Sequence, residues 1–219
     1  MLNGIAPPIS PMFITFEGID GCGKSTQAAL LHDRLEKKGE KTALTHEPGD
    51  GGEIGQSIRN TILMEGMKKI DPLAEIFLFC ADRIHHVQKV VKPALDEGKT
   101  VISDRFFDST VVYQGYGRGI DLEFVKSVAK KSALGVVPDI TLFLDVPIEK
   151  CMQRLQNRKK TVKDSNRMDR ETKNFYSLLR SGFLSEAENS PERIKVIDAT
   201  GEIADTHKAV CAAVKREIG

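Results

Sequence analysis

The sequence predicts an α/β fold, a parallel sheet held between helices in three layers. Three observations carry that expectation. Short strand-like runs recur at Met12–Phe16, Thr42–Thr45, Thr100–Ser103, Ile140–Leu144 and Ile194–Ile197. The segments between them carry apolar residues three and four apart, the helical period. The first run also turns through glycines directly into a helical pattern. Near-continuous apolar runs are what strands buried on both faces look like, and strand–helix alternation implies parallel pairing.

Each element follows in order. Met12–Phe16 is a buried strand, and Ser25–Lys38 a helix with Ala28, Leu31 and Leu35 on one stripe and a stop at Gly39. Thr42–Thr45 is a short strand. His46-Glu47-Pro48-Gly49-Asp50-Gly51-Gly52 is too glycine-rich for either regular state and reads as a turn or a substrate loop. Glu53–Met64 is helical, with Ile54, Ile58 and Ile62 as its expected stripe. Asp71-Pro72 opens another helix, since Asp caps well and Pro suits the first turn. That helix runs through Phe77, Phe79, Arg83 and Val87 towards Leu95 and stops at Gly98.

Thr100–Ser103 is a strand ending in Asp104-Arg105. Helical stretches follow at Ser109–Gln114 and Asp121–Ala133, then the strand Ile140–Leu144. A helix from Ile148 to about Asn157 runs into Arg158-Lys159-Lys160 and a polar stretch to Met168. A helix through Phe175, Leu179 and Phe183, the strand Ile194–Ile197 and the helix Ile203–Ile218 close the chain. No repeat or long linker divides it, so one domain over residues 12–219 is expected, with a lid around 155–170. Leu2–Pro11 holds three prolines and lies outside the expected core; Met12 could serve as the start, leaving residues 1–11 as a flexible extension.

At 219 residues the chain can build a substantial core, and 32 Lys plus Arg against 31 Asp plus Glu give a net charge of +1. That balance argues against a general nucleic-acid or membrane-surface binder, whose basic excess would show. No apolar run reaches the roughly 18 residues of a membrane span, and the N-terminus lacks the layout of a signal peptide. Cys22, Cys80, Cys151 and Cys211 share no metal-ligand spacing and read as reduced thiols, which points to a cytoplasmic protein. His85 and His86, adjacent on a helix, point about 100° apart and do not suit one metal.

The chemistry concentrates in Gly18-Ile19-Asp20-Gly21-Cys22-Gly23-Lys24-Ser25-Thr26, which contains G-x-x-x-x-G-K-S. Such a loop wraps a phosphate with successive backbone N–H groups, and side chains would block that approach. The helix behind it adds its positive end, Lys24 is placed for the β- and γ-phosphates, and Ser25 can hold Mg²⁺. The motif requires a strand before and a helix after, and both are present. A nucleoside-triphosphate site is the expectation.

At this point the sequence resembles the thymidylate kinases of the P-loop nucleoside-monophosphate kinase family. The carrying segments are Phe16–Thr26, Glu47-Pro48-Gly49, Leu78-Phe79-Cys80-Ala81-Asp82-Arg83, and above all Asp104-Arg105 followed by Ser109-Thr110 and Tyr113-Gln114-Gly115-Tyr116-Gly117-Arg118-Gly119. Pro138-Asp139 and Ile197-Asp198-Ala199-Thr200 also fit. The resemblance implies transfer of phosphoryl from MgATP to dTMP, a five-stranded parallel sheet and a homodimer. The chain departs from the family pattern in three places. His46 stands where Arg is common; Gly49–Gly55 is a residue longer and lacks Gly-Gly-Thr; and the lid reads Asn166-Arg167-Met168-Asp169 where Asp-Arg-Ile/Phe-Glu is common.

By resemblance Phe79 stacks on thymine and Arg83, one turn on, donates to the base edge; Phe77 lies close by, and one of the two phenylalanines is expected in the core. Arg105, at a strand's C-terminal end where open α/β sheets bind ligands, would clamp the acceptor phosphate with its fork of donors. Asp104 could hold Mg²⁺ or orient the acceptor. Asp20 could touch the acceptor, and Glu47 is an acidic site residue. Ser109, Thr110, Tyr113 and Gln114 are carried over as walls and base-edge contacts. Gly21 occupies the loop position where one type of the family has Arg, so the transferring phosphoryl would draw its cations from Arg158 and Arg167 of the lid, with Lys159 and Lys160 a basic run that also suits a solvated face. Arg154 and Ala199 would flank the adenine. Three alternatives stay open: a kinase for another monophosphate, a phosphate-loop switch, and a kinase-like fold that has lost activity, to which the altered His46 loop and Asn166 point. The guanine-reading N-K-x-D of switch GTPases is absent from the sequence.

Overall fold

The computed structural model describes residues 11–64, 70–161 and 171–218, the side chains of 158–161 and 216–218 excepted. The expected extension over residues 1–11, apart from Pro11, and most of the expected lid, with Asn166, Arg167, Met168 and Asp169, lie outside the described residues, as do the side chains of Arg158, Lys159 and Lys160.

Five strands form one all-parallel sheet: β1 (Phe13–Glu17), β2 (Thr42–His46), β3 (Thr100–Asp104), β4 (Ile140–Asp145) and β5 (Ile194–Asp198), in the order β2-β3-β1-β4-β5. Each strand sits within a residue or two of its expected place. β1 is central and buried throughout, and its alternate residues serve different apolar clusters. Ile14 and Phe16 pack with Leu31, Leu142, Leu179 and Val210, whereas Phe13 packs with Ile76, Val101, Phe106 and Val125. A strand that feeds two cores must be apolar on both sides, which is why Met-Phe-Ile-Thr-Phe does not alternate. Its one hydroxyl, Thr15 Oγ1, bonds Thr141 Oγ1 at 2.8 Å across the pair. The edge strands expose Leu44 by 43% and Val196 by 48%, as half-covered edges do.

The helices are α1 (Lys24–Glu36), α2 (Gly52–Leu63), α3 (Pro72–His86), α4 (Lys92–Asp96), α5 (Phe107–Thr110), α6 (Leu122–Ser132), α7 (Ile148–Thr161), α8 (Lys173–Asn189) and α9 (Ile203–Ile218). Asp71 caps α3 as expected, accepting Leu73 N–H at 2.9 Å, with Pro72 in the first turn. The run expected to continue to Leu95 does so, but through a π-helical segment, Val87–Val91, in which Lys92 N–H reaches Val87 O. Pro93 follows at once; having no N–H, it cannot join an i→i−4 ladder, and the widened turn before it absorbs that loss. A second π segment, Val111–Gly117, continues α5. The stripe expected on α2 is only partly core: Ile62 is fully buried, but Ile54 is 52% exposed. Among the described residues no helix is long and apolar enough to cross a membrane.

Candidate active site

The chain leaves β1 towards β2 and leaves its neighbour β4 towards β5, so the connections from these two adjacent strands diverge at their C-terminal ends. That is the point where open α/β sheets hold ligands. One cavity of about 880 Å³ opens there. Its wall runs from Asp20–Ala28 of the loop and α1, past Thr45–Pro48, Phe79 and Arg83, to Asp104–Phe106, Ser109, Thr110, Tyr113 and Gln114, and at its other end to Arg154, Leu155, Ala199 and Gly201. Of the expected donor and acceptor residues, all but Gly18, Ile19 and the lid residues Arg158 and Arg167 line this one space.

The loop conformation depends on its glycines. Gly18 and Gly21 have φ of 141° and 83°, in the left-handed region. A Cβ on Gly18 would lie 2.9 Å from Leu144 O, and one on Gly21 would lie 2.7 Å from Cys151 O. The C-terminal end of β4 and the helix α7 thus press on the loop from behind. Lys24 Nζ is buried and donates to Gly18 O and Ile19 O, both at 3.1 Å. Ser25 Oγ donates to Asp104 Oδ2, while Asp104 Oδ1 is buried without a hydrogen-bond partner. A hydroxyl beside a half-satisfied carboxylate is the hard-oxygen set that suits Mg²⁺, which binds few protein groups and keeps water and phosphate ligands. The described residues hold no cluster of three or more acidic, His or Cys side chains that would make an all-protein metal site.

Arg154 donates to Gly21 O at 3.4 Å, Cys22 O at 3.3 Å and Ala199 O at 3.3 Å, tying α7 to the loop and to the turn after β5. This is where the adenine was expected.

Arg105 has φ of 76°, a left-handed conformation that costs a non-glycine residue about 1–3 kcal/mol and persists only when its surroundings enforce it. Three contacts pin its backbone. Arg105 N–H donates to Phe16 O at 2.9 Å, Ser103 Oγ donates to Arg105 O at 2.7 Å, and Phe106 N–H donates to Glu17 Oε1 at 2.8 Å. Its guanidinium donates to Asp20 Oδ1 at 2.6 Å, Ser109 Oγ at 2.8 Å, Gly18 O at 3.1 Å and Tyr113 Oη at 3.1 Å. Burial acts to raise the Asp20 carboxyl, but Arg105 and Lys24 outweigh burial and hold it below the usual carboxylate range. Burial likewise works against the Arg105 cation, and Tyr113, Asp20, Glu17 and Asp104 keep it protonated.

Arg83, expected at the base edge, lines the cavity but is almost wholly buried. Its Nε donates to Glu47 Oε2 at 2.9 Å, its Nη2 to Thr110 Oγ1 at 2.9 Å and Phe106 O at 3.3 Å, and its Nη1 to Ser132 Oγ at 3.3 Å. The buried ion pair with Glu47 is thus part of how Arg83 is held. Phe79 is half-buried on the cavity wall and Phe77 is 52% exposed, so neither belongs to the closed core. The expectation that one would be buried is corrected: α3 turns Phe77 outward against Phe124, ring centroids 6.4 Å apart. Gln114 Nε2 donates to Glu75 Oε1 at 2.9 Å; a carboxylate only accepts, so this bond fixes which way the amide faces.

Four buried residues escaped the sequence reading. Glu17 accepts two backbone N–H groups and the Ser109 hydroxyl. Burial, then the neighbouring Asp108, push its carboxyl up to about 7. His86, set aside as half of an adjacent pair, bridges Glu47 at 2.9 Å and Thr45 at 2.7 Å. Asp82 receives Gly49 N–H at 3.0 Å and is pushed up to about 6 by burial and by Glu47. Glu75 holds Gln114 and Arg118. The signal for His86 and Asp82 was their spacing around Arg83 on one helix; for Glu17 it was a carboxylate at the end of an otherwise apolar strand.

The thymidylate kinase family model matches residues 16–210. The chain belongs to that family. A thymidylate kinase of Desulfosudis oleivorans is 43% identical over 209 residues, covering 94% of this chain and 97% of the relative. One from Pelotomaculum thermopropionicum is 44% identical over 188 residues, covering 86% and 85%. The crystal structure of thymidylate kinase from Ehrlichia chaffeensis superposes with a TM-score of 0.72 at 35% identity, covering 94% of this chain and 99% of that one. The family's fold is therefore also this chain's fold, and the β2-β3-β1-β4-β5 sheet frames the cavity in it.

Proposed function

We infer that this protein transfers the γ-phosphoryl of ATP to dTMP, giving dTDP and ADP, a step in making dTTP. The observation that carries the reading is one cavity lined both by the phosphate loop with Arg154 and Ala199 and by Phe79, Arg105, Tyr113 and Gln114, with Arg105 in direct contact with the loop. Phosphoryl transfer needs positioning and charge neutralisation more than covalent chemistry, so the residues are assigned by what they hold.

Gly18–Thr26 and Lys24 grip the triphosphate of ATP, with Arg154 and Ala199 beside the adenine. Phe79 supplies the base platform. Arg83, aimed by Glu47, and Gln114, aimed by Glu75, face the base edge, and Thr110 and Tyr113 wall the acceptor. Arg105 takes the acceptor phosphate, aided by Ser109, and Asp20 competes with that phosphate for the same guanidinium fork, so acceptor binding exchanges one anion for another. Ser25 and Asp104 would hold Mg²⁺, which when bound neutralises charge on the phosphate oxygens. Arg158 and Arg167 belong to the lid reading: cations there stabilise the transferring phosphoryl, and closure excludes water that would compete as acceptor.

The reading extends to a cytoplasmic homodimer. Ile54 on α2, Leu73 and Phe77 on α3 and Phe124 on α6 are 52%, 48%, 52% and 37% exposed, an apolar surface that a second copy would cover. ADP formation measured with dTMP, dUMP, dGMP, AMP and UMP tests the assignment. It predicts acceptor-dependent turnover with dTMP preferred; ADP release indifferent to acceptor would favour a nucleotide switch, and preference for another monophosphate would favour a different kinase.

A further inference from the structure

We propose that Glu17 is a positioning residue for the acceptor phosphate, setting the Arg105 guanidinium through the Ser109 hydroxyl. The inference rests on the reading of Arg105 as the acceptor-phosphate clamp and adds what makes that clamp possible.

Glu17 is the last residue of β1, fully buried, directly beneath the loop that carries Arg105. Its carboxylate is divided between two tasks. Oε1 accepts Phe106 N–H at 2.8 Å and Ser109 N–H at 3.1 Å, which fixes the backbone just after Arg105 and at the start of α5. Oε2 accepts the Ser109 hydroxyl proton at 2.5 Å. With its single proton committed to Glu17, Ser109 Oγ turns its lone pairs outward and accepts Arg105 Nη1 at 2.8 Å. A buried carboxylate thereby orients a hydroxyl, and the hydroxyl orients the guanidinium. The same carboxylate holds the peptide that follows a residue with φ of 76°, so one group supports both the unusual backbone and the side-chain direction. Glu17 does not line the cavity; it acts through Ser109 and Arg105.

Replacing Glu17 by Gln separates the two tasks. The amide oxygen can still accept the two backbone N–H groups, but the NH₂ in place of Oε2 donates towards Ser109 and cannot accept its proton. Ser109→Ala cuts the same link from the other side and leaves the buried carboxylate in place, so it carries the test if the first variant folds poorly. The measurement is the KM and the calorimetric affinity for dTMP and, separately, for ATP, on Glu17→Gln, Ser109→Ala, the double variant and Arg105→Ala. A lost charge-assisted hydrogen bond corresponds to ~10-fold in dTMP affinity. We expect ~10-fold weaker dTMP in each of the first two variants, ATP within about threefold, and a double variant little worse than either single one, because both break one relay. Equal losses for dTMP and ATP would make Glu17 a general structural support and overturn the proposal. So would dTMP affinity within about twofold of the parent in both variants while Arg105→Ala loses it. If Arg105→Ala itself leaves dTMP binding unchanged, the clamp assignment is what has failed.

Discussion

Phe79 and Glu17 represent two kinds of site residue, one read from a motif and one visible only in space. Phe79 lies on the cavity wall one turn before Arg83, where a base can stack on its ring. Base–aromatic stacking contributes about 1–3 kcal/mol per base, so Phe79→Ala should raise the KM for dTMP roughly 10-fold or more and leave that for ATP nearly unchanged. Steady-state kinetics with each substrate varied in turn checks this. Glu17 gives a prediction in pH. Its folded carboxyl titrates at about 7 against 4.5 for the ordinary group, raised by burial and Asp108. Between those values the folded chain binds more protons than the unfolded one, so this group lowers stability as pH rises from 4.5 to about 7. Denaturant unfolding followed across that window should show a shallower decline in Glu17→Gln than in the parent; identical slopes would remove Glu17 as the source. The motif residues Lys24, Arg105 and Tyr113 were legible because their spacing is fixed by one loop or one helix. The Glu17–Phe106, Arg83–Glu47 and His86–Thr45 bonds join residues 89, 36 and 41 positions apart, and no local pattern announces such pairs.

At the level of elements, strand and helix placement followed from apolar periodicity because packing on both faces of a parallel sheet leaves little choice of residue type. The π segments Val87–Val91 and Val111–Gly117 were not legible, since a window tuned to 3.6 residues per turn reads a local widening as more helix. The α2 stripe was misjudged for a related reason: periodicity shows that Ile54, Ile58 and Ile62 share a face, not whether that face meets the core or another chain. The phosphate loop is the element whose geometry is most tightly bounded. Gly21 has φ of 83° and faces Cys151 O of α7 at 2.7 Å from where a Cβ would stand. Gly21→Ala should therefore destabilise the fold by about 1–3 kcal/mol and weaken ATP far more than dTMP. Thermal unfolding and separate titrations with the two nucleotides measure both effects; an unshifted melting temperature with normal ATP binding would show that the loop yields.

At the scale of the molecule, Ile54 of α2, Leu73 and Phe77 of α3 and Phe124 of α6 are exposed apolar residues, Phe77 and Phe124 in ring contact, and α3 also supplies Phe79 and Arg83 to the cavity. The homodimer reading predicts that Phe77→Arg shifts sedimentation from dimer to monomer, because a charge placed in an apolar interface must be desolvated without a partner. A parent chain that sediments as a monomer would overturn the homodimer reading, and a variant that stays dimeric would place the second copy elsewhere. The central claim is that two nucleotides lie phosphate to phosphate in one cavity, and a single titration addresses it most directly. Thymidine and adenosine joined by a five-phosphate chain should bind at one equivalent per protein chain and exclude ATP and dTMP together. Displacement of only one of them, or binding at two equivalents, would contradict the account.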